Sequence, residues 1–380
     1  MRIMHVITGL EIGGAESMLE KLLALGAPEW DSVVVSLSAE GPIGARIAEL
    51  GIPVLSLGLR RGLPNPVSAI SIIPMIRRCR PVLVQGWMPH GNLMASFAVA
   101  SQLNRMPVVW NIRMSLDDTT LPALTRAAIR SGGLLSRHPV AIVYNSAVGA
   151  RQHEAVGYRK EKSVVIPNGF DCGRFHPDNA ARRSLHAELG LREDAVLIGL
   201  VARYDPIKDH AGFLGAAGRV ARSHPGVYFV LAGKGVTGEE PALMKVISEA
   251  GLQGRIFLLG ERQDVSRLTA ALDIACSSST GEGFANTIGE AMACGVPCVV
   301  TDVGDSAYIV ADTGMAVPPG SPGAFAQALC QMIEAGPEHR QRLGMLARRR
   351  VEQEFSLPAI ARRYKVLYQE HVSAPRPNAI

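Results

Sequence analysis

No apolar run in this 380-residue chain reaches the roughly 18 residues that a membrane-crossing helix needs. The opening "MRIMHVITGLEIGGAESML" places Arg2 before an apolar run. That run is only about five residues long, short of the roughly 7–15 of a secretory h-region. The expectation is a chain that is not an integral membrane protein. Paired cysteines are missing too: positions 79, 172, 276, 294, 298 and 330 contain no C-x-x-C. Cys276, Cys294 and Cys298 lie in apolar strand or helix contexts, which favours reduced core thiols in a cytoplasmic protein. No nucleic-acid motif occurs, and a net charge of +5 does not argue for one. That charge permits an anionic partner, such as a phosphate-bearing ligand or a membrane surface.

What the chain does have is core. Hydrophobic residues make up 47% and charged residues 19%, the balance of a globular protein. Its length favours two domains of roughly 150–200 residues each. The runs "RIMHVI", "SVVVSL", "IPVLSL", "PVLVQGW", "MPVVWNI", "VAIVYN" and "SVVIPNG" are short and β-branched, with helix-length segments between several of them. Continuous apolar runs alternating with helices predict parallel strands buried on both faces. The pattern restarts with "AVLIGLVAR", "VYFVLAG", "RIFLLG", "DIACSS" and "PCVVTDVG". Two Rossmann-like α/β domains follow. The turn-rich "IPNGFDCGRFHPDNAARRSLHAELG" reads as the linker between them, and the chain after residue 320 reads as helical up to a disordered "SAPRPNAI".

Ligands of open parallel sheets bind at the carboxyl ends of the strands, so the loops after strands carry the argument. After the first strand, Gly13 and Gly14 either admit an anion to backbone N–H groups at a helix start or simply make a strand-to-helix turn. After the fourth strand, His90 precedes a helix; it is either a surface histidine or a site residue. In "GLVARYDPIKDH", Arg203 and Lys208 bracket a turn made by Asp205 and Pro206. Arg203 directly continues an apolar strand, where a buried unpaired charge would be costly, and an anionic ligand would resolve that cost.

The stretch "GKGVTG" at 233–238 is a literal G-x-G-x-x-G after a strand, and Glu261 closes the next strand. A nicotinamide-dependent oxidoreductase is a legitimate local reading. Against it, the fingerprint stands in the second α/β unit and leaves Arg203, Lys208 and two glutamates unexplained. Those glutamates, Glu282 and Glu290, flank "GEGFANTIGEAMACG". Its two loop glycines disfavour helix, so a helix is expected to start at Asn286 or Thr287, both good N-cap residues. Glu282 then lies in the loop and Glu290 in the helix, with backbone N–H groups of Phe284, Ala285, Asn286 and Thr287 between them. Such a site suits a ligand with phosphates in the middle and hydroxyls at both ends, as in a nucleotide sugar. Two ordinary surface glutamates would have the same spacing.

Taken in order, "GGAE", "IPNGFD", "VARYDPIK", "GKG", "FLLGERQDV", "STGEGFANTIGEAMACGVPCVVTDVGD" and "TGMAVPPG" resemble the retaining GT-B glycosyltransferases of family four, which carry an E-x7-E motif. The resemblance covers nearly the whole chain and is closest to bacterial enzymes of capsule, exopolysaccharide or lipid-linked glycan synthesis. It implies an α/β fold of GT-B type, with two Rossmann-like parallel-sheet domains facing each other across a cleft. It also implies an acceptor-binding domain at 1–167, a nucleotide-sugar domain at 168–356, and a C-terminal helix at 357–380 packing back on the first domain.

The resemblance further implies a hexosyltransferase moving a sugar from a UDP- or GDP-sugar to a glycan or lipid-linked acceptor, with retention and without a metal or other cofactor. By the same likeness Arg203 and Lys208 hold the pyrophosphate, Glu290 the ribose and Glu282 the donor sugar. Gly13, Gly14, Gly233, Gly283 and Phe284 to Thr287 line the donor, Glu261 and Arg262 lie near the base, and His90 sits beside the transferred sugar. Two departures touch the donor fit: no proline follows the glycines of "GKGV", and Ala285 stands where glycine or proline is commoner. No D-x-D occurs, which argues against the metal-dependent glycosyltransferase fold. A non-catalytic nucleotide-sugar-binding protein stays open beside the enzyme. Basic residues in "RRCR", in "RSGGLLSR" and at Arg60 and Arg61 suggest a peripheral site on the inner face of the cytoplasmic membrane.

Overall fold

The β-branched runs become parallel strands with both faces covered. A computed structural model describes residues 1–26, 30–59, 70–102, 106–116 and 121–373. It divides into two units: Met1–Gly169 together with the chain from Leu357 onward, and Phe170–Ser356. Arg60, Arg61 and the tail from residue 374 lie outside the described residues.

Unit 1 is built on β1 (Arg2–Ile7), β2 (Asp31–Ser36), β3 (Val54–Ser56), β4 (Leu83–Trp87), β5 (Val108–Ile112), β6 (Ala141–Tyr144) and β7 (Ser163–Val165). Their order in the sheet is β3-β2-β1-β4-β5-β6-β7, every pairing parallel. Unit 2 uses β8 (Val196–Val201), β9 (Val227–Ala232), β10 (Ile256–Leu258), β11 (Ile274–Ser277), β12 (Cys298–Thr301) and β13 (Met315–Val317) in the order β10-β9-β8-β11-β12-β13. Both orders are those of a doubly wound Rossmann sheet, which reverses direction between β1 and β4 in one unit and between β8 and β11 in the other.

Twelve of these strands match apolar runs in the sequence; β13 does not. It is three residues long, Met315–Val317, with Ala316 exposed, and no run is assigned there. The stretch read as a linker also contains the helix Asn179–Glu188, whose first N–H groups are accepted by the Asp178 carboxylate.

The helix Leu357–Ser373 packs into unit 1 through Tyr364 and Tyr368, both fully buried. Tyr364 Oη accepts from Asn111 at 2.8 Å and from Arg113 at 2.9 Å. Tyr368 donates to Gln85 and meets Trp30 edge-on at 5.3 Å. All six cysteines are free thiols, and burial pushes Cys294 and Cys298 up to about 12. Among the described residues no helix is long and apolar enough to cross a membrane.

Candidate active site

A doubly wound sheet opens its ligand crevice at the carboxyl ends of the two strands where the order reverses. In unit 2 these are β8 and β11, so residues 202–209 and 278–285 rim the crevice. Backbone and side-chain bonds tie the two loops together. The Thr280 N–H donates to the Ile207 carbonyl at 2.8 Å, and Ser278 Oγ donates to the Lys208 carbonyl at 2.8 Å.

That stitching delivers Lys208 to Glu282. The ammonium donates to the Glu282 carboxylate, which also accepts from Ser279 Oγ at 2.8 Å. The two side chains are only 21% and 14% exposed. In such a setting removing one partner strands the other, so the pair holds its geometry. An ammonium has three N–H donors, and only one is needed for the glutamate. Asp209, next in the chain, has φ +45 and caps the helix His210–Ser223 by accepting from the Gly212 N–H at 2.9 Å. A non-glycine residue in the left-handed region directly after a site lysine is the kind of strain that surrounding structure must enforce.

Arg203 behaves differently from the sequence argument. Its side chain is 65% exposed and pairs with Asp205 at 2.8 Å. It is therefore not a buried cation awaiting a ligand: strand burial ends before it, and its counter-ion stands two residues on. Burial raises the Asp205 carboxyl, but the Ile207 N–H and the Arg203 guanidinium outweigh it and hold the group below its ordinary value.

The helix after β11 spans Asn286–Ala293, and its N-cap is Ala285, not Asn286 or Thr287. Alanine offers no oxygen to the first turn, so the N-cap residue itself does not cap this positive helix end. Glu290 is the fifth helical residue, on the face of Asn286 and one turn further along. Phe284 turns inward: its ring stacks on Phe170 at 6.1 Å and meets Phe355 edge-on, leaving only its backbone at the rim. Gly289 makes room for that stack, since a Cβ there would sit 2.1 Å from the Phe170 ring.

One contributor lies in the motif ending "VVTDVGD" but is not singled out there as a site residue. The loop after β12 braces "GEGF" from behind, the Asp305 N–H donating to the Gly283 carbonyl at 3.2 Å. Gly304 has φ +56, and a Cβ on it would come within 2.2 Å of the Glu282 carbonyl oxygen. Its glycine was the only available signal, and single glycines are too common to read.

The "GKGVTG" loop is engaged elsewhere. Gly233 donates to the Gly260 carbonyl at 2.7 Å, and Val236 lies between the Gly233 carbonyl and the Gly260 N–H. Gly233 has φ +152 and passes so close to Ala202 that a Cβ would sit 2.1 Å from its carbonyl oxygen. The following helix begins only at Pro241, behind Glu239 and Glu240, two acids that would oppose a pyrophosphate. The dinucleotide reading fails on these grounds. Glu261 is exposed. The Arg262 guanidinium is taken up by Asp264 at 2.8 Å and Glu188 at 3.0 Å, in a cluster that Arg267 completes.

In unit 1 the corresponding strands are β1 and β4. Gly14 opens the helix Gly14–Gly26, with nothing within 4 Å of a Cβ added to it. Gly13 precedes it, its carbonyl accepting from the Ser17 N–H. His90 lies inside the first turn of the helix Met88–Ala100 rather than before it, and burial lowers its pKa. Met88 has φ +65, a strained residue at a crevice edge that sequence reasoning did not single out. The structure thus brings Lys208 and Glu282 together in unit 2, with Gly283 and the Asn286–Ala293 helix following directly in the chain, and Gly13, Gly14 and His90 belong to unit 1.

Relatives agree with this architecture. Residues 13–169 match the family described as glycosyl transferase 4-like domain, and residues 195–335 match glycosyl transferases group 1. EpsF of Bacillus subtilis, which carries a provisional glycosyltransferase name, is 25% identical over 321 residues, 79% of each chain. A D-inositol 3-phosphate glycosyltransferase of Mycobacterium tuberculosis is 32% identical over 186 residues, 46% of this chain and 37% of that one. The Anabaena protein HepE, crystallised with UDP, superposes with a TM-score of 0.85 at 23% identity, covering 97% of this chain and all of the other. The lipopolysaccharide outer core galactosyltransferase WaaB superposes at 0.75 with 14% identity, over 97% and 100% of the two chains. With the two family matches in tandem over two Rossmann-like units, the chain belongs to the family-four type of GT-B glycosyltransferases.

Proposed function

We propose that the protein transfers a hexose from a nucleotide sugar to a glycan or lipid-linked acceptor in cell-surface polysaccharide synthesis, with retention of anomeric configuration. The observation that carries this reading is the Lys208–Glu282 pair beside the start of the Asn286–Ala293 helix, whose N-cap is an alanine. A departing diphosphate needs positive charge aimed at its oxygens. Lys208, Arg203 and the helix end supply it without calling on a metal. Glu282 and Glu290 are left to accept from sugar and ribose hydroxyls. UDP is the favoured nucleotide, because HepE was crystallised with UDP and with UDP-glucose.

The reading extends to the acceptor. In unit 1 the helix Ala123–Leu135 carries Arg126 and Arg130 along with Leu124 and Leu134, the last 82% exposed. Each basic side chain near an anionic surface adds about 1 kcal/mol of attraction. A lipid-linked acceptor on the inner face of the cytoplasmic membrane suits this surface, and liposome flotation with anionic against neutral vesicles checks it. The function itself is tested by incubating the purified protein, in chelator, with UDP-, GDP- and ADP-sugars and a lipid-linked acceptor extract. Diphosphate release from one donor and an axial or equatorial product linkage matching that donor support the reading. Donor binding without release would make the protein a nucleotide-sugar sensor.

A further inference from the structure

The donor crevice does not use the other end of unit 2, where a mixed set of metal-binding side chains converges. The helices His210–Ser223 and Pro322–Glu334 pack along each other, with Phe213 edge-on to Phe325 at 6.4 Å near their starts. At their far ends stand His224, directly after the first helix, and Cys330 and Glu334, one turn apart on the second. One ligand atom from each of these three residues lies within 4.8 Å of the other two. The His224 ring is 3.5 Å from a Glu334 carboxylate oxygen through Nε2 and 4.0 Å from Cys330 Sγ through Nδ1. Ser223 Oγ lies 2.9 Å from Nδ1.

We propose that His224, Cys330 and Glu334 form a binding site for a divalent transition-metal ion of the zinc class, remote from the donor crevice. Thiolate, imidazole and carboxylate together suit zinc or cobalt, and the sulfur disfavours magnesium or calcium. With bonds of about 2.0–2.3 Å, tetrahedral ligands stand about 3.3–3.7 Å apart, so the three groups need to close by only about 1 Å. Ser223 supplies what a metal-bound histidine usually has, a hydrogen-bond partner on the ring nitrogen not facing the metal, which leaves Nε2 for the ion. A plain His224–Glu334 ion pair accounts for two of the groups; the Cys330 thiol, 4.0 Å from Nδ1 on the same ring, has to turn toward Nε2 to complete the set. Binding converts Cys330 Sγ–H to thiolate and releases that proton to solvent, with water in the fourth position. The helix between Lys208 and His224 is 14 residues long, about 21 Å at 1.5 Å per residue. The ion therefore has no part in sugar transfer; it clamps the two helix ends to each other.

The test uses full-length, untagged, metal-stripped protein and the metal alone. One equivalent of cobalt should produce thiolate-to-cobalt charge transfer in the near ultraviolet together with tetrahedral visible bands, and zinc should erase both. Zinc should release one proton per protein and raise the melting temperature by several degrees. Cys330→Ser should abolish the charge-transfer band, whereas Cys172→Ser should keep it. Glu334→Gln, at a side chain 66% exposed, removes a ligand without threatening the fold, and should weaken cobalt binding about tenfold or more. No band at one equivalent, or a band that survives Cys330→Ser, overturns the site. Should Cys330→Ser not fold, an unchanged cobalt affinity in Glu334→Gln overturns it as well.

Discussion

The two units share one topology and distribute polarity in opposite ways. In unit 2 the strands at the reversal are apolar through their middles, with Ile198, Leu200, Ile274 and Cys276 all buried, and the crevice rim carries charge as Lys208, Glu282, Arg203 and Asp205. In unit 1 the rim carries glycines and a neutral histidine, while polar groups stand inside the sheet. His5 in β1 accepts from Trp87 Nε1 at 3.2 Å, and Gln85, Asn111 and Arg113 lie buried beside them. The difference follows from what each must hold. A charged ligand calls for cations near water, where their desolvation is small. The interior polar groups of unit 1 instead meet Tyr364 and Tyr368, and these buried hydrogen bonds favour one docking register for that helix.

The largest effect is expected at the charged rim. Lys208→Ala should lower kcat by about 10²–10³-fold, the usual cost of removing one preorganised donor from a developing anion, read as diphosphate release. A loss below tenfold would erase the contrast between the rims. Next, Glu290→Ala should weaken donor and free diphosphate alike by about 10–150-fold in calorimetry, a lost hydrogen bond to a charged group. Glu282→Gln should instead lower turnover more than affinity and bind free diphosphate almost normally, because that ligand has no sugar to lose. Equal diphosphate losses in both variants would show that the glutamates do not divide the donor.

At the neutral rim the effects shrink. His90→Ala should cut turnover about tenfold, one neutral hydrogen bond, and leave donor affinity intact. Burial lowers the His90 pKa, so its neutral form persists below the ordinary 6.5, and the wild-type rate should stay flat down to that pH. The smallest effect concerns stability. Full burial lowers His5 from 6.5 to about 3. Its folded pKa is depressed, so its contribution is complete above 6.5 and is lost as pH falls toward 3. Unit 1 should therefore lose about 1 kcal/mol between pH 6.5 and 5.5 from this group. All three tryptophans belong to unit 1, so their fluorescence in urea reads that unit alone. His5→Gln should remove this part of the slope.

Much of this was legible in the chain. Continuous apolar runs marked twelve strands; in the central ones, such as β1, β4, β5 and β6, burial on both faces leaves no polar alternation to hide them. The strand-end loops then pointed to Lys208, Glu282 and Glu290. Partnerships were not legible. That Arg203 answers to Asp205 and Lys208 to Glu282 depends on a turn geometry and on contacts between loops distant in sequence. Ala285 at the N-cap contradicts residue preference, which is why Asn286 and Thr287 looked better. Phe284 reads as a rim residue until Gly289 shows where its ring goes.

The helix Leu357–Ser373 has one more consequence, in the time domain. A ribosome delivers β1 to β7 first, yet Asn111, Arg113 and Gln85 find Tyr364 and Tyr368 only some 250 or more residues later. Unit 2 is an insertion within unit 1, and every segment it needs is made before the last helix emerges. The second unit can therefore mature before the first. Until that helix is made, the polar interior of the first must wait, solvated and open, for its partners.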